Sequence, residues 1–146
     1  MNDKWHRRFL ALAEHVAGWS KDPGTRVGSC IARPDRTVLS LGYNGLPRGV
    51  ADNLALLEDR DYKLARTVHA EMNAILSAPE RPAGCTLYVW PMPPCSNCAA
   101  AIIQSGIVEV WAPEPIERWR DSCHAGLDML KEAGITSHWI SQGAEP

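Results

Sequence analysis

Apolar residues recur at helical spacing at the start of the chain. Trp5, Phe9, Leu12, Ala13 and Val16 form one stripe within residues 3–19, which predicts an amphipathic helix. The turn residues Lys21-Asp22-Pro23-Gly24 stop it. The period then shortens. Residues 26–33 and 37–43 are short apolar and β-branched runs divided by Pro34-Asp35-Arg36, which predicts a hairpin. Residues 50–67 are mostly polar around Leu54, Leu56 and Leu57, and predict a loop with one helical turn. Helices are predicted over residues 69–78, 95–104 and 115–133, ended by Pro79, Gly106 and Gly134. Strands are predicted over residues 86–90, 107–112 and 135–140. Such strand–helix–strand alternation calls for right-handed crossovers and parallel strands. The expected class is α/β, a five-stranded mixed sheet covered by helices.

Composition narrows the function without naming it. The 146 residues suit a single domain spanning 1–146, with 45% hydrophobic and 22% charged positions. A net charge of −2 lacks the basic excess with which proteins neutralise long nucleic acid, so a small-molecule partner is expected. No apolar run approaches the roughly 20 residues that span a bilayer. Five cysteines behind a charged N-terminal stretch, with no secretory leader, point to a reducing, cytoplasmic setting.

Two short stretches carry the chemistry: His69-Ala70-Glu71 and Pro94-Cys95-Ser96-Asn97-Cys98. One imidazole and two thiolates make a three-ligand zinc set, and catalytic zinc sites keep three protein ligands and an open fourth position. Cys95 and Cys98 share a face at a helix start, where the positive helix end favours thiolate. His69 and Glu71, two apart, would diverge by about 200° inside a helix. They can face one cavity only if His69 sits at the helix edge. Glu71 is then the proton carrier, since zinc lowers the pKa of water toward neutrality and a buried carboxylate can accept and return protons. The competing reading is a closed structural site with Cys85, Cys123 or His124 as fourth ligand, or no metal at all.

His-x-Glu followed by Pro-Cys-x-x-Cys is the zinc nucleobase-deaminase signature, and the chain resembles the cytidine/deoxycytidylate deaminase superfamily well beyond it. Residues 20–28 (SKDPGTRVG) resemble the family's approach to its first strand. Residues 42–49 (GYNGLPRG) resemble its glycine-rich loop after the second, and residues 69–75 and 102–107 also follow its pattern. Within the superfamily the deoxycytidylate (dCMP) deaminases are the nearest likeness, over roughly residues 5–140. The resemblance implies a three-layer α/β/α fold and Zn²⁺ held by His69, Cys95 and Cys98. It also implies Glu71 as proton shuttle, the Ala70 amide on the pyrimidine carbonyl, Asn44 at the sugar or base edge, and a homo-oligomer, commonly a hexamer. The implied reaction is dCMP to dUMP with release of ammonia.

Two departures bear on the substrate pocket. Four residues, Trp90-Pro91-Met92-Pro93, separate Tyr88-Val89 from Pro94-Cys95 where the family usually has three. Residues 113–119 lack the family's Asp-Lys-Tyr pattern. Trp119 is a candidate stacking face for the base, against a core or interface role. Lys21, Arg26, Arg48, Arg118 and Arg120 are candidates for a substrate phosphate, against plain surface charge. The glycine-rich loop resembles a nucleotide-effector region of some relatives; otherwise it is a turn that needs glycine. Cys30 reads as core, Cys123-His124 as filler rather than a second metal site, and Asn73 as either a ligand-orienting or a surface residue. The alternative functions are deamination of a 5-modified dCMP, CMP, cytosine, guanine or tRNA adenosine, and an inactive zinc-stabilised binding module.

Overall fold

The computed structural model describes residues 2–141. The first helix, α1 (Asp3–Ala17), leads into β1 (Gly28–Ala32) and β2 (Val38–Tyr43), then α2 (Leu54–Glu58) and α3 (Arg60–Arg66). After these come α4 (Ala70–Ser77), β3 (Thr86–Trp90), α5 (Ser96–Ser105), β4 (Glu109–Pro113), α6 (Glu117–Glu132) and β5 (Thr136–Ile140). The strands form one mixed sheet in the order β2-β1-β3-β4-β5. β1 is antiparallel to both neighbours, while β3, β4 and β5 run parallel. The expected five-stranded mixed sheet is therefore present.

Alternation along the strands splits the core into two layers. Cys30, Ala32 and Tyr88 pack with Phe9, Leu10 and Ala13 of α1 on one face. Ile31, Leu87, Val89 and Val110 pack on the other with Ala74 of α4, Ala99 and Ile102 of α5 and Leu130 of α6. Helices thus cover both faces, as the three-layer α/β/α expectation requires. Both faces of β1 are occupied, so each of its residues is buried, and burial pushes the Cys30 thiol up to about 12, as fits a core cysteine.

One expectation fails. Residues 50–67 are not a loop with a single turn but carry α2 and α3. The side chain of Asn53 accepts from the Leu56 amide and that of Asp59 accepts from the Tyr62 amide, so each short helix has its own N-cap. The leucine-poor, charged face of α3 masked its period.

α4 lies directly on the first hairpin. Ser29 Oγ donates to the Ala70 carbonyl at 2.8 Å and Ser40 Oγ to the Ala74 carbonyl at 2.7 Å. Gly42 permits this approach, because a Cβ there would stand 2.3 Å from Ala70 O and 2.4 Å from Ala74 N. Those are backbone atoms that cannot rotate away. Gly42→Ala should therefore destabilise the protein by about 1–3 kcal/mol, read as a lower urea midpoint at an unchanged m-value.

Candidate active site

Two helix starts meet at one point. His69 is the N-cap of α4, with φ −70° and ψ 155°, so its side chain leaves the helix direction before the first turn begins. That extended residue resolves the angular problem of a His-x-Glu pair: Glu71 points inward from the first turn while His69 reaches the same space from the helix edge. Cys95 is likewise the N-cap of α5 at φ −73° and ψ 173°, with Cys98 in the first turn.

His69 Nδ1 lies 3.2 Å from Cys98 Sγ and 3.4 Å from Cys95 Sγ. All three donor atoms fall within 4.8 Å of one another, the only such His/Cys/Asp/Glu group among the described residues. A tetrahedral ion with Zn–S near 2.3 Å and Zn–N near 2.0–2.1 Å spreads an N···S edge to about 3.5 Å. The donor set and its spacing therefore fit zinc, with Nδ1 as the imidazole donor.

Electrostatics suit the same set. The Cys98 thiol donates to Cys95 and, with His69, holds the Cys95 sulfur down to about 3, against the opposing effect of burial. Cys98 is pushed up by that same shared proton and by burial. The Cys95 thiolate raises the His69 imidazole above its ordinary value. Burial, the largest effect on Glu71, lifts its carboxyl above the usual range. Glu71 is 4% exposed and sits within hydrogen-bonding reach of Cys98. A carboxyl so placed takes up a proton more readily than one in water.

None of the candidate fourth ligands of a closed site joins the three-donor group. Cys85 is buried at the start of β3 near the Ala83 carbonyl. Cys123 Sγ donates to the Pro93 carbonyl at 3.2 Å, and its thiol is raised by burial. His124 is exposed and pairs with Asp128 one turn along α6 at 3.2 Å. Asn73 Nδ2 donates to the Tyr43 carbonyl at 2.7 Å, tying α4 to β2.

A cavity of about 640 Å³ opens over the donors. His69, Ala70, Glu71 and Cys95 form its floor, and Met92, Pro93, Trp119 and Cys123 one wall. Arg60, Lys63, Leu64 and Thr67 of and just after α3 form another, with Asp22, Thr25 and Asn44 between. The first α4 amides lack intrahelical partners, so the Ala70 N–H at this floor is a donor in search of an acceptor. Trp119 is half-buried against the cavity, with the Arg118 guanidinium 4.6 Å from its ring centroid.

Asn44 borders this space, but its amide is engaged within the protein. Oδ1 accepts from the Val27 amide at 2.9 Å, and Nδ2 donates to Thr25 O at 2.9 Å and to Asp22 Oδ2 at 3.4 Å. It shapes the wall by bracing residues 22–27. Asp22 in turn pairs with Lys63 Nζ at 3.0 Å, with both side chains largely buried.

Of the five cations singled out from sequence, Arg118 alone lines the cavity. Lys21 pairs with Asp52 in solvent, Arg120 faces Glu114 at 3.9 Å, Arg26 Nε reaches the Asp22 carbonyl, and Arg48 is exposed. Sequence reasoning missed Arg60 and Lys63. The Asp59 N-cap was the available signal, because a helix starting at Arg60 puts residues 60, 63, 64 and 67 on one face.

A fold whose two helix starts present one imidazole and two thiols beside a buried carboxyl has the layout of a zinc-dependent hydrolytic deaminase. The sequence model of the cytidine and deoxycytidylate deaminase zinc-binding region matches residues 3–113. The chain belongs to the cytidine and deoxycytidylate deaminase family. It is 44% identical over 144 residues to an uncharacterized deaminase from the luxG 3′ region of Aliivibrio fischeri, covering 96% of each chain. It is 36% identical over 139 residues to the deoxycytidylate deaminase of Mus musculus, covering 91% of this chain and 78% of the mouse protein. The fold superimposes on the dCMP deaminase of cyanophage S-TIM5, solved in complex with dCMP and dUMP, with a TM-score of 0.79. That match has 22% identity and covers 96% of this chain and 99% of the phage protein.

Purified protein should carry one zinc per chain by elemental analysis. Cys95→Ser should abolish tight zinc binding, whereas Cys123→Ser should keep it. Zinc lost equally from both variants would restore the closed-site reading.

Proposed function

We propose that residues 1–146 act as one catalytic unit that hydrolyses dCMP to dUMP and ammonia, with His69, Cys95 and Cys98 as zinc ligands and Glu71 as proton carrier. One observation carries the proposal: a buried carboxyl with a raised pKa stands beside a three-donor set in a cavity large enough for a nucleotide. The identity to vertebrate deoxycytidylate deaminases supports the choice of substrate.

Zinc, when bound, supplies a Lewis acid that makes hydroxide accessible near neutral pH. Glu71 accepts the proton that water gives up and delivers it to the ring nitrogen beside the reacting carbon. The C–O bond forms as that ring nitrogen is protonated, giving a tetrahedral carbon. The exocyclic C–N bond then breaks, as Glu71 carries the added hydroxyl's proton to the departing amine and the carbonyl forms. The Ala70 N–H donates to the pyrimidine carbonyl and holds the ring in register. Trp119 offers its face to the base, and Met92 and Pro93, in the lengthened segment before Pro94, close the side of the pocket.

Phosphate recognition falls to Arg118 and Arg60, both in the cavity lining. Lys63 is committed to Asp22, whereas Arg60 makes no ion pair among the described residues. Stacking on Trp119 preorganises the Arg118 guanidinium. Five free cysteines suit a cytoplasmic, reducing setting, and no helix among the described residues is long and apolar enough to cross a membrane. Exposed Trp19, Leu54 and Leu76 offer apolar surface for assembly into a homo-oligomer.

The test is ammonia release by zinc-loaded protein from dCMP, CMP, cytosine, cytidine, guanine and 5-methyl-dCMP. The expected outcome is preference for dCMP, and turnover of free bases alone would overturn it. Glu71→Gln should retain zinc and lose at least about 10²-fold in kcat. Arg118→Ala should raise KM for dCMP about 10- to 100-fold, the value of one charged hydrogen bond, while leaving deoxycytidine turnover nearly unchanged.

A further inference from the structure

α6 carries a glycine in its interior, the least favourable residue for a helix short of proline. Position 126 has a tertiary reason for it. A Cβ on Gly126 would stand 2.5 Å from Pro94 O and 3.0 Å from both the carbonyl carbon and oxygen of Cys95. The first distance is roughly 1 Å inside van der Waals contact, and every atom met is backbone. One turn earlier on the same face, Cys123 Sγ donates to Pro93 O at 3.2 Å. One turn later, Leu130 enters the core beside Ile102 of α5. A single stripe of α6 therefore bears on three consecutive residues, Pro93, Pro94 and Cys95.

Ahead of Cys95, those residues have few backbone donors with which to anchor to the rest of the fold. Pro91-Met92-Pro93-Pro94 has one backbone N–H, that of Met92, since proline supplies none. The carbonyls are what remains to hold the segment, and α6 meets two of them. Zinc–ligand distances in real sites agree to within about 0.2 Å, a smaller margin than the movement that a Cβ at position 126 would force.

We propose that α6, through Gly126 and Cys123, is the template that positions Cys95 as a metal ligand. The proposal rests on Cys95 being a zinc ligand. Gly126 and Cys123 are positioning residues: they act through the backbone of residues 93–95 and need not touch the reacting atoms. The contact also accommodates the extra residue before Pro94, because it fixes the end of that segment whatever path the preceding residues take.

The test reads metal rather than turnover: zinc affinity by competition with a chromophoric chelator, and the thiolate-to-metal absorption of the cobalt-substituted protein. Gly126→Ala should weaken zinc at least tenfold and diminish or shift the cobalt bands, although alanine is the better helix former. Cys123→Ala should weaken zinc several-fold, and Cys123→Ser, which restores a donor to Pro93 O, should recover most of it. Ala125→Gly, which weakens α6 at an exposed neighbouring position, should leave affinity and spectrum unchanged. Wild-type affinity and cobalt spectrum in Gly126→Ala would overturn the proposal. If Gly126→Ala lacks native far-UV circular dichroism, Cys123→Ala decides, and wild-type values there overturn it equally. Wild-type protein that binds no zinc would instead refute the ligand set.

Discussion

Two helix N-termini pointed at one spot form an electrostatically unfavourable arrangement, because each carries a partial positive charge and unpaired amides. The site depends on maintaining it. α4 is held in place by Gly42 and the Ser29 and Ser40 hydroxyls beneath it, and α5 by its packing between the sheet and α6. The two fields are compensated by anionic groups in the gap between them. The Cys95 thiolate is one such group: it accepts the Cys98 S–H and its charge is answered by His69. Glu71 occupies the same space, where burial favours its neutral form. One geometric device thus stabilises the Cys95 thiolate and places the Glu71 carboxyl beside it.

The cavity above divides its work by element. Its floor, from α4 and α5, holds the reactive groups, while its walls, from α3 and α6, hold the cations and the indole. Asp22 links the two regions. It accepts from the Gly24 amide at 2.7 Å, pairs with Lys63 and receives the Asn44 amide. The buried Asp22–Lys63 pair would leave a lone charge if either partner were removed, so Lys63 anchors α3 rather than serving a ligand. Arg60, one turn earlier, lines the same cavity and makes no ion pair among the described residues.

How much of this could be read from the chain depends on the range of each interaction. The meeting of His69, Glu71, Cys95 and Cys98 was legible because the spacing is local: residues two and three apart at helix starts define their own geometry once the starts are located. The strands were legible as short apolar and β-branched runs, whereas the division of Cys30, Ala32 and Tyr88 from Ile31, Leu87 and Val89 between the two faces emerged only in the fold. The roles of Asn44, Arg60 and Gly126 were not legible either. Asn44 resembles a ligand contact in sequence, yet its amide braces a segment 17–22 residues away. Arg60 was lost with α3, whose short polar period gives way to its caps as evidence of a helix. A glycine within a helical pattern reads as a small defect, and only the Pro94 carbonyl pressed against it shows what the missing side chain permits.

The donors come from two separate helix caps, and this ties the metal to the fold as a whole. His69 and Cys95 are 26 residues apart in sequence, and they approach one another only when α4 and α5 are both docked. An unfolded chain offers no such site, so by linkage the binding free energy of zinc becomes folding free energy. Each tenfold rise in free zinc above its dissociation constant then adds about 1.4 kcal/mol to the native state. The abundance of folded protein in a cell is thereby coupled to the local zinc supply, quite apart from any effect on turnover.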